Sequence, residues 1–180
     1  MMVEFELPET LSLMPSRKPP IGLSEFKAAM SSMAATVCVV SARRGDERLG
    51  RTVTAVLSLS AEPPAILISV DIVSRLADLI AKTGGFSLAM LAEDQGEIAD
   101  AFAGRVAAEH RFNLGEWSAW SSGHPMLVGA VSTLDCEVIG SVATGTHVLF
   151  VGGIVDAETT TGRLPLVWQR QQYHGIAGLD

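Results

Sequence analysis

GRTVTAVLSLSAEPP, residues 50–64, runs straight into AILISVD, residues 65–71, and the pair reads as two strands joined at a proline step. Val53 and Val56, with Thr52, Thr54 and Ala55 around them, suit a pleated surface. Leu57-Ser58-Leu59-Ser60 then alternates, placing two leucines on one face and two serines on the other. Proline has no N–H and a fixed φ, so Glu62-Pro63-Pro64 must leave the ladder. The segment Ala65 to Asp71 is almost wholly apolar and reads as a buried strand. A hydroxyl-lined strand beside a buried one suits a polar planar ligand or a phosphate. The same hydroxyls equally fit the wet face of an antiparallel sheet.

Outward from this stretch the chain reads as one globular unit. Its 180 residues are 48% hydrophobic and 18% charged, enough for a substantial core. A mean hydropathy of +0.32 points to apolar surface covered in an oligomer. No apolar run reaches the roughly 18 residues that span a membrane. The net charge of −7, with no basic run beyond Arg43-Arg44, leaves nucleic-acid binding without a footing. The acidic start MMVEFELPETLSLMP lacks the features of a signal peptide. Cys38 and Cys136 each lie inside an apolar strand-like run, as reduced structural thiols do, which implies a cytoplasmic protein. The four histidines show no metal-ligand spacing, so no metal is expected.

Residues 1–20 read as an N-terminal arm, mobile or lying over a partner subunit, and residues 21–180 as the domain. A first helix is expected from Ser24 as N-cap, with Phe26, Met30 and Met33 facing the core. Thr36 to Ser41 reads as a buried strand, and Arg43 to Glu47 as the turn of a hairpin. Ser74 caps a second helix, with Leu76, Leu79 and Ile80 on its apolar face and Gly84-Gly85 at its end. That helix start, with Arg75, is a ready anion site or an ordinary cap. A strand from Phe86 to Ala92 and a helix to Gly104 follow. Arg105 to Met126 reads as a long loop holding Trp117 and Trp120. Strands return at Ala130 to Ile139 and Thr146 to Val155. Many strands without βαβ alternation argue for a mainly β fold, an antiparallel barrel with a few accessory helices. The absence of a G-x-G-x-x-G fingerprint disfavours a Rossmann domain.

In this order and spacing, the landmarks resemble the short-chain flavin reductases, an FMN-binding split-barrel family of reductase components of two-component flavin-dependent monooxygenases. Besides GRTVTAVLSLSAEPPAILISVD, they are Phe102-Ala103-Gly104, Arg111-Phe112, Gly123-His124-Pro125, Leu134 to Glu137, Gly145 to Gly152, and Pro165 to Trp168 ending on Arg170 and Tyr173. The likeness covers Leu23 to Tyr173. It implies a homodimer that moves hydride from NADH or NADPH to FMN or FAD and hands reduced flavin to an oxygenase. By position it sets Thr52, Val53, Thr54 and Ala55 along the flavin ring, with Ser58 on the same hydroxyl-bearing stretch. Ser69, Asp71, Ser74 and Arg75 fall toward the ribityl and phosphate, Arg111 and Phe112 on a flavin-contacting loop, and Tyr173 near the site. His147 is assigned to the nicotinamide side, with Thr146 where the family often carries an aspartate. Two other readings stay open: a split-barrel reductase for a corrinoid cobalt or ferric chelate, and a flavin-binding module without turnover.

Overall fold

The computed structural model describes residues 9–10, 14 and 16–177. Most of the expected N-terminal arm, residues 1–8, 11–13 and 15, lies outside the described residues, as do residues 178–180 at the end of the expected domain. The strands are β1 (Glu9–Thr10), β2 (Ala35–Thr36), β3 (Cys38–Arg44), β4 (Glu47–Val53), β5 (Val56–Ala61), β6 (Pro64–Asp71) and β7 (Gly85–Met90). They continue as β8 (Trp117–Ala119), β9 (Pro125–Leu127), β10 (Ser132–Ala143), β11 (His147–Thr159), β12 (Val167–Gln169) and β13 (Gln172–His174). The α-helices are α1 (Leu23–Ser31), α2 (Arg75–Thr83) and α3 (Gly96–Asp100). A π-type turn at Ala101–Arg105 and a 3-10 turn at Ala108–Asn113 follow α3.

The main sheet runs β4-β3-β7-β10-β11-β6-β5, with antiparallel pairing along that path, while β1 adds in parallel beside Val142 and Ala143. Its two edge strands, β4 and β5, are consecutive in the chain and separated only by Thr54 and Ala55. Three Cα steps of about 3.8 Å bring Val53 and Val56 within roughly 11 Å of each other. A sheet whose far edges are tied that closely must curl. It does so without a ladder between β4 and β5, which makes a barrel split along that seam.

Alternation along the strands decides what the curl encloses. Cys38, Val40 and Ala42 of β3, Ile66, Ile68 and Val70 of β6, and Phe86 and Leu88 of β7 point inward. Leu134, Cys136 and Val138 of β10, with Val148 and Phe150 of β11, join them. Helix α2 is packed into the same core through Leu76, Ala77, Leu79 and Ile80. Ser74 accepts the Ala77 N–H at 3.2 Å as its N-cap, and Gly84, at φ +69°, ends it with an N–H to Ile80 O at 2.9 Å. Outside the barrel a second core forms where Val37, Val39, Ala89 and Leu91 meet Ala99, Phe102 and Leu127. Cys38 and Cys136 are free and buried, and burial pushes both thiols up to about 12, so they are inert packing groups.

Four expectations are corrected. Helix α1 begins at Leu23 with Gly22 as its N-cap rather than Ser24, because Glu25 reaches back to accept the Gly22 N–H at 3.1 Å. Phe26, Met30 and Met33 do not enter the core of the single chain: α1 buries no residue, and Met33 lies beyond its end. The turn after β3 is only Gly45-Asp46, since Arg44 and Glu47 already pair across the hairpin. The region Arg105 to Met126 is not a plain loop; it contains the 3-10 turn and the start of the β8–β9 hairpin.

Gly152 sits on β11 where a Cβ would stand 2.5 Å from Phe86 Cζ and 2.9 Å from Cys136 Cβ. Gly152→Ala should therefore lower stability by about 1–3 kcal/mol through overpacking. A urea unfolding midpoint unchanged from the parent protein would contradict this account of the core.

Candidate functional site

The residues singled out from sequence fall into two groups that meet at the seam. The first gathers at the ends of β6 and β11 and the start of α2. Asp71 and His147 are register partners, and so are Ser69 and Leu149. Ser69 and Asp71 alternate with the buried Ile68 and Val70, so they face outward. The Ser69 N–H donates to Ala55 O at 3.1 Å, which fastens the Thr54-Ala55 crossing over β6. Asp71 accepts the Val73 N–H at 3.0 Å through Oδ1, and its carbonyl takes the Ser74 hydroxyl at 2.7 Å. These two bonds make the tight corner from which α2 departs.

At that corner lie donors without protein acceptors. Among the described residues, the N–H groups of Arg75 and Leu76 find no acceptor, as expected in a first helical turn. The hydroxyls of Thr54 and Ser69 make no protein hydrogen bond either, and neither is sealed from solvent. Ser58 lies apart from this corner, opposite the inward-facing Ile66 and so on the other sheet face from Ser69. The set amounts to backbone and hydroxyl donors at the positive end of a helix. That chemistry fits the polar edge, polyol and phosphate of a flavin mononucleotide unit.

Arg75 itself turns the other way. Its guanidinium pairs with Glu47 of β4 at 2.6 Å, with both side chains largely exposed. What α2 offers an anion is therefore its amides, with this charge already partnered. His147 opens β11 on the exposed surface, and its Nδ1 lies 2.9 Å from Thr146 Oγ1. The threonine hydroxyl thus holds the imidazole.

The second group is organised by α3 and the π-type turn. Thr52 donates its hydroxyl to Ala99 O at 2.6 Å. Arg111 donates through Nε to Val106 O at 3.0 Å and through Nη1 to Gly50 O at 3.4 Å. Phe112 is only 7% exposed and packs edge-on against Phe102 at 5.0 Å and Trp117 at 4.9 Å. Its place is in the outer core, where it seats the Arg111 turn. Tyr173 donates to Asp100 Oδ1 at 2.8 Å and stands edge-on to Trp168. Val53 packs against the inner core, so it contributes backbone to the seam. Sequence reading missed Asp100 and Ala99, which clamp Tyr173 and Thr52. Only the helix pattern around Ile98 hinted at them.

Among the described residues, no group of three or more His, Cys, Asp or Glu side chains is placed to hold a metal ion, and no helix is long and apolar enough to cross a membrane. One shallow recess is lined by Arg75 with Glu47, Arg44 and Lys82, and a larger one lies beside His124 and Asp135; neither includes Thr52 to Ala55.

Tyr173 is the only tyrosine, so its titration can be read without interference. Burial, then the hydrogen bond and charge of Asp100, push the phenol up to about 12, with Arg105 opposing. The native phenol keeps its proton where the unfolded one loses it. Stability should accordingly fall as pH rises from 10 to about 12. Asp100→Asn should bring the midpoint of the tyrosinate absorbance back toward 10; an unmoved midpoint would remove Asp100 from the clamp.

Comparison with known proteins agrees with this geometry. Residues 30–177 match the family model described as flavin reductase like domain. The reductase component of FADH(2)-dependent resorcinol hydroxylase from a Rhizobium species is 36% identical over 157 residues, 86% of this chain and 88% of that protein. The FMN reductase (NADH) RutF of Ancylobacter novellus is 31% identical over 163 residues, 91% of this chain and 90% of its own length. Among solved structures, BorF, the flavin reductase component of a bacterial two-component tryptophan halogenase, superposes with a TM-score of 0.79. It is 28% identical, with 87% of this chain and 99% of that one covered. The mainly β split barrel, its unladdered seam and these matches together make the chain a member of the flavin reductase like domain family.

Proposed function

We propose that this protein is an NAD(P)H-dependent flavin reductase that passes hydride from NADH to FMN or FAD and supplies reduced flavin to a partner monooxygenase. The observation that carries this reading is the patch of unpaired donors at the seam, found in a chain of this family. Flavin, when bound, supplies the two-electron chemistry by accepting hydride from the reduced nicotinamide. The chain's task is then to bind, orient and screen.

The Arg75 and Leu76 amides, at the positive end of α2, are suited to hold the phosphate. Ser69 and Thr54 have free hydroxyls for the ribityl chain and ring edge, and Thr52 through Ala55 line the crossing. Hydrogen-bond donors along this edge favour negative charge developing on reduction. Arg111, tied to Gly50 O, and Tyr173, held by Asp100, steady the neighbouring wall. No nucleophile–base pair is required, which agrees with a site made of short hydroxyls and backbone. His147, steadied by Thr146, is assigned to the nicotinamide as a contact rather than a proton donor.

A homodimer completes the site in this reading. Leu57 and Leu59 of edge strand β5 are 56% and 46% exposed, and Phe26 of α1 is 50% exposed. Such a surface is costly to leave wet, and a second copy would cover it and wall the open seam. Residues 21–180 form the catalytic domain. The buried reduced thiols fit work in the cytoplasm. Two relatives' names, FMN reductase (NADH), favour NADH over NADPH.

Purified protein should oxidise NADH in air at a rate that depends on added FMN or FAD. Flavin binding with NADH left untouched would overturn the reductase reading in favour of a binding module. NADH oxidation coupled only to a corrinoid or a ferric chelate would redirect it to another acceptor. His147→Ala should raise KM for NADH more than it lowers kcat. An unchanged KM with a lost kcat would assign the imidazole to the chemical step instead.

A further inference from the structure

On the outer face of the barrel, Ser41, Ser87 and Asp135 form a row across three neighbouring strands, in register with one another. All three are buried, at 1%, 1% and 2% exposure, where apolar side chains would be expected. The Trp120–Pro125 loop covers them. Trp120 donates its indole N–H to Ser87 Oγ at 3.0 Å, and Ser122 donates to Asp135 Oδ1 at 2.9 Å. His124, 5% exposed, accepts the backbone N–H of Arg43 on Nδ1 at 3.2 Å. That bond fixes the tautomer, since the proton must sit on Nε2.

Two valences in this cluster are left over. Among the described residues His124 Nε2 has no protein partner, and neither does the second oxygen of Asp135. Neither atom is sealed from solvent, because the only buried side-chain nitrogen or oxygen without a partner among the described residues is Arg163 Nε. Both residues instead line a groove of about 1280 Å³ between the C-terminal end of α2, the end of β3, and strands β10 and β11. The close approach of the imidazole is built in, for a Cβ at Gly85 would stand 2.7 Å from Nε2. Residues so deeply buried normally have their polar atoms paired, and an unpaired donor and an unpaired acceptor among the residues lining one groove can take a polar ligand.

The rim is bipolar in net charge. Arg43, Arg44 and Lys82 outweigh Asp78 on the β3 and α2 side, and Glu137 and Asp156 stand on the β10 and β11 side. Among the described residues none of these six takes part in an ion pair, and nor does Asp135. A plain anion would leave the acidic wall and the Asp135 oxygen unmet, and a plain cation would leave the imidazole N–H and the basic wall unmet. We propose that this groove is a second binding site, separate from the seam, for a small zwitterion of the α-amino acid class. The ligand's carboxylate accepts from His124 Nε2–H and faces the basic wall. Its ammonium donates to Asp135 and faces the acidic one. Val155, 54% exposed, gives a small side chain nonpolar surface. None of the residues assigned to flavin lines this groove, so the inference stands apart from the reductase reading.

The test is a nuclear magnetic resonance titration of the full-length protein, following the Trp120 indole and His124 ring signals. The probe is L-alanine, with sodium acetate and methylammonium chloride as its two halves. A saturable shift with L-alanine that neither half reproduces is expected. Asp135→Asn should weaken it about tenfold or more, as loss of one partner in a desolvated charge contact does, and Lys82→Ala, at the exposed rim, about twofold to fivefold. Both variants should retain the parental rate of flavin-dependent NADH oxidation. Should Asp135→Asn fail to fold, Lys82→Ala, a change on the rim, still decides. No saturable shift, an equal shift from acetate alone, or parental affinity in Lys82→Ala would each overturn the proposal.

Discussion

The missing ladder between β4 and β5 is the constraint on which the rest of this structure depends. Thr54 and Ala55 hold the two sheet edges together by covalent reach; the crossing is tightened locally by Val56 N–H to Thr54 O, and the bond that fastens it to the sheet, Ser69 N–H to Ala55 O, goes to β6. Unpaired edges in a closed barrel would be expensive if buried and sticky if exposed. The fold resolves this by filling the barrel with α2, whose leucines and Ile80 hold the seam's two sides against one core. The same arrangement brings the free amides of the α2 start to the place where β4 and β5 part. Closure without a ladder and a ready donor patch are thus one structural event.

Much of this was legible in the sequence because it rests on local pattern. The alternation in β3, β6 and β7, the Ser74 cap and the Gly84 stop each follow from the residues present within a few positions. Even the outward face of Ser69 and Asp71 follows from the apolar run in which they alternate. The misreading of α1 as a core helix has a different cause. In α1, Phe26, Met30 and Met33 have the spacing of a buried stripe, yet α1 buries none of its residues. Periodicity reports that a face needs covering and says nothing about which chain covers it.

The candidate site divides along the same line. Ser74, Asp71 and His147 could be placed by motif and strand end, whereas the partners that fix their neighbours could not. Asp100 reaches Tyr173 across 73 positions and Ala99 reaches Thr52 across 47, with no short-range signal linking either pair. Phe112 shows the converse: adjacent to Arg111 in the chain, it belongs to the aromatic packing of Phe102 and Trp117. Arg75 shows it again, since a cation at a helix start reads as an anion ligand until Glu47 appears beside it on another strand. Electrostatic roles depend on partners, and the partners come from topology.

The outer face of β3, β7 and β10 carries this division of labour within a single surface. Toward one end of those strands Val37, Val39, Ala89 and Leu91 build an apolar core with α3 and the aromatic turn. A few residues farther along, the outward positions become Ser41, Ser87 and Asp135. Both stretches are equally buried, so burial alone does not select residue type here. The apolar end needs only volume, and it braces the strand that carries Thr52 through the contact of Phe102 with Gly50. The polar end must satisfy every donor and acceptor it hides, and a loop that supplies Trp120, Ser122 and His124 does most of that. Burying a carboxylate and an imidazole costs more than burying valines in the same space. A fold that accepts that cost, and leaves one atom of each facing a groove, has kept a polar end that packing by itself does not require.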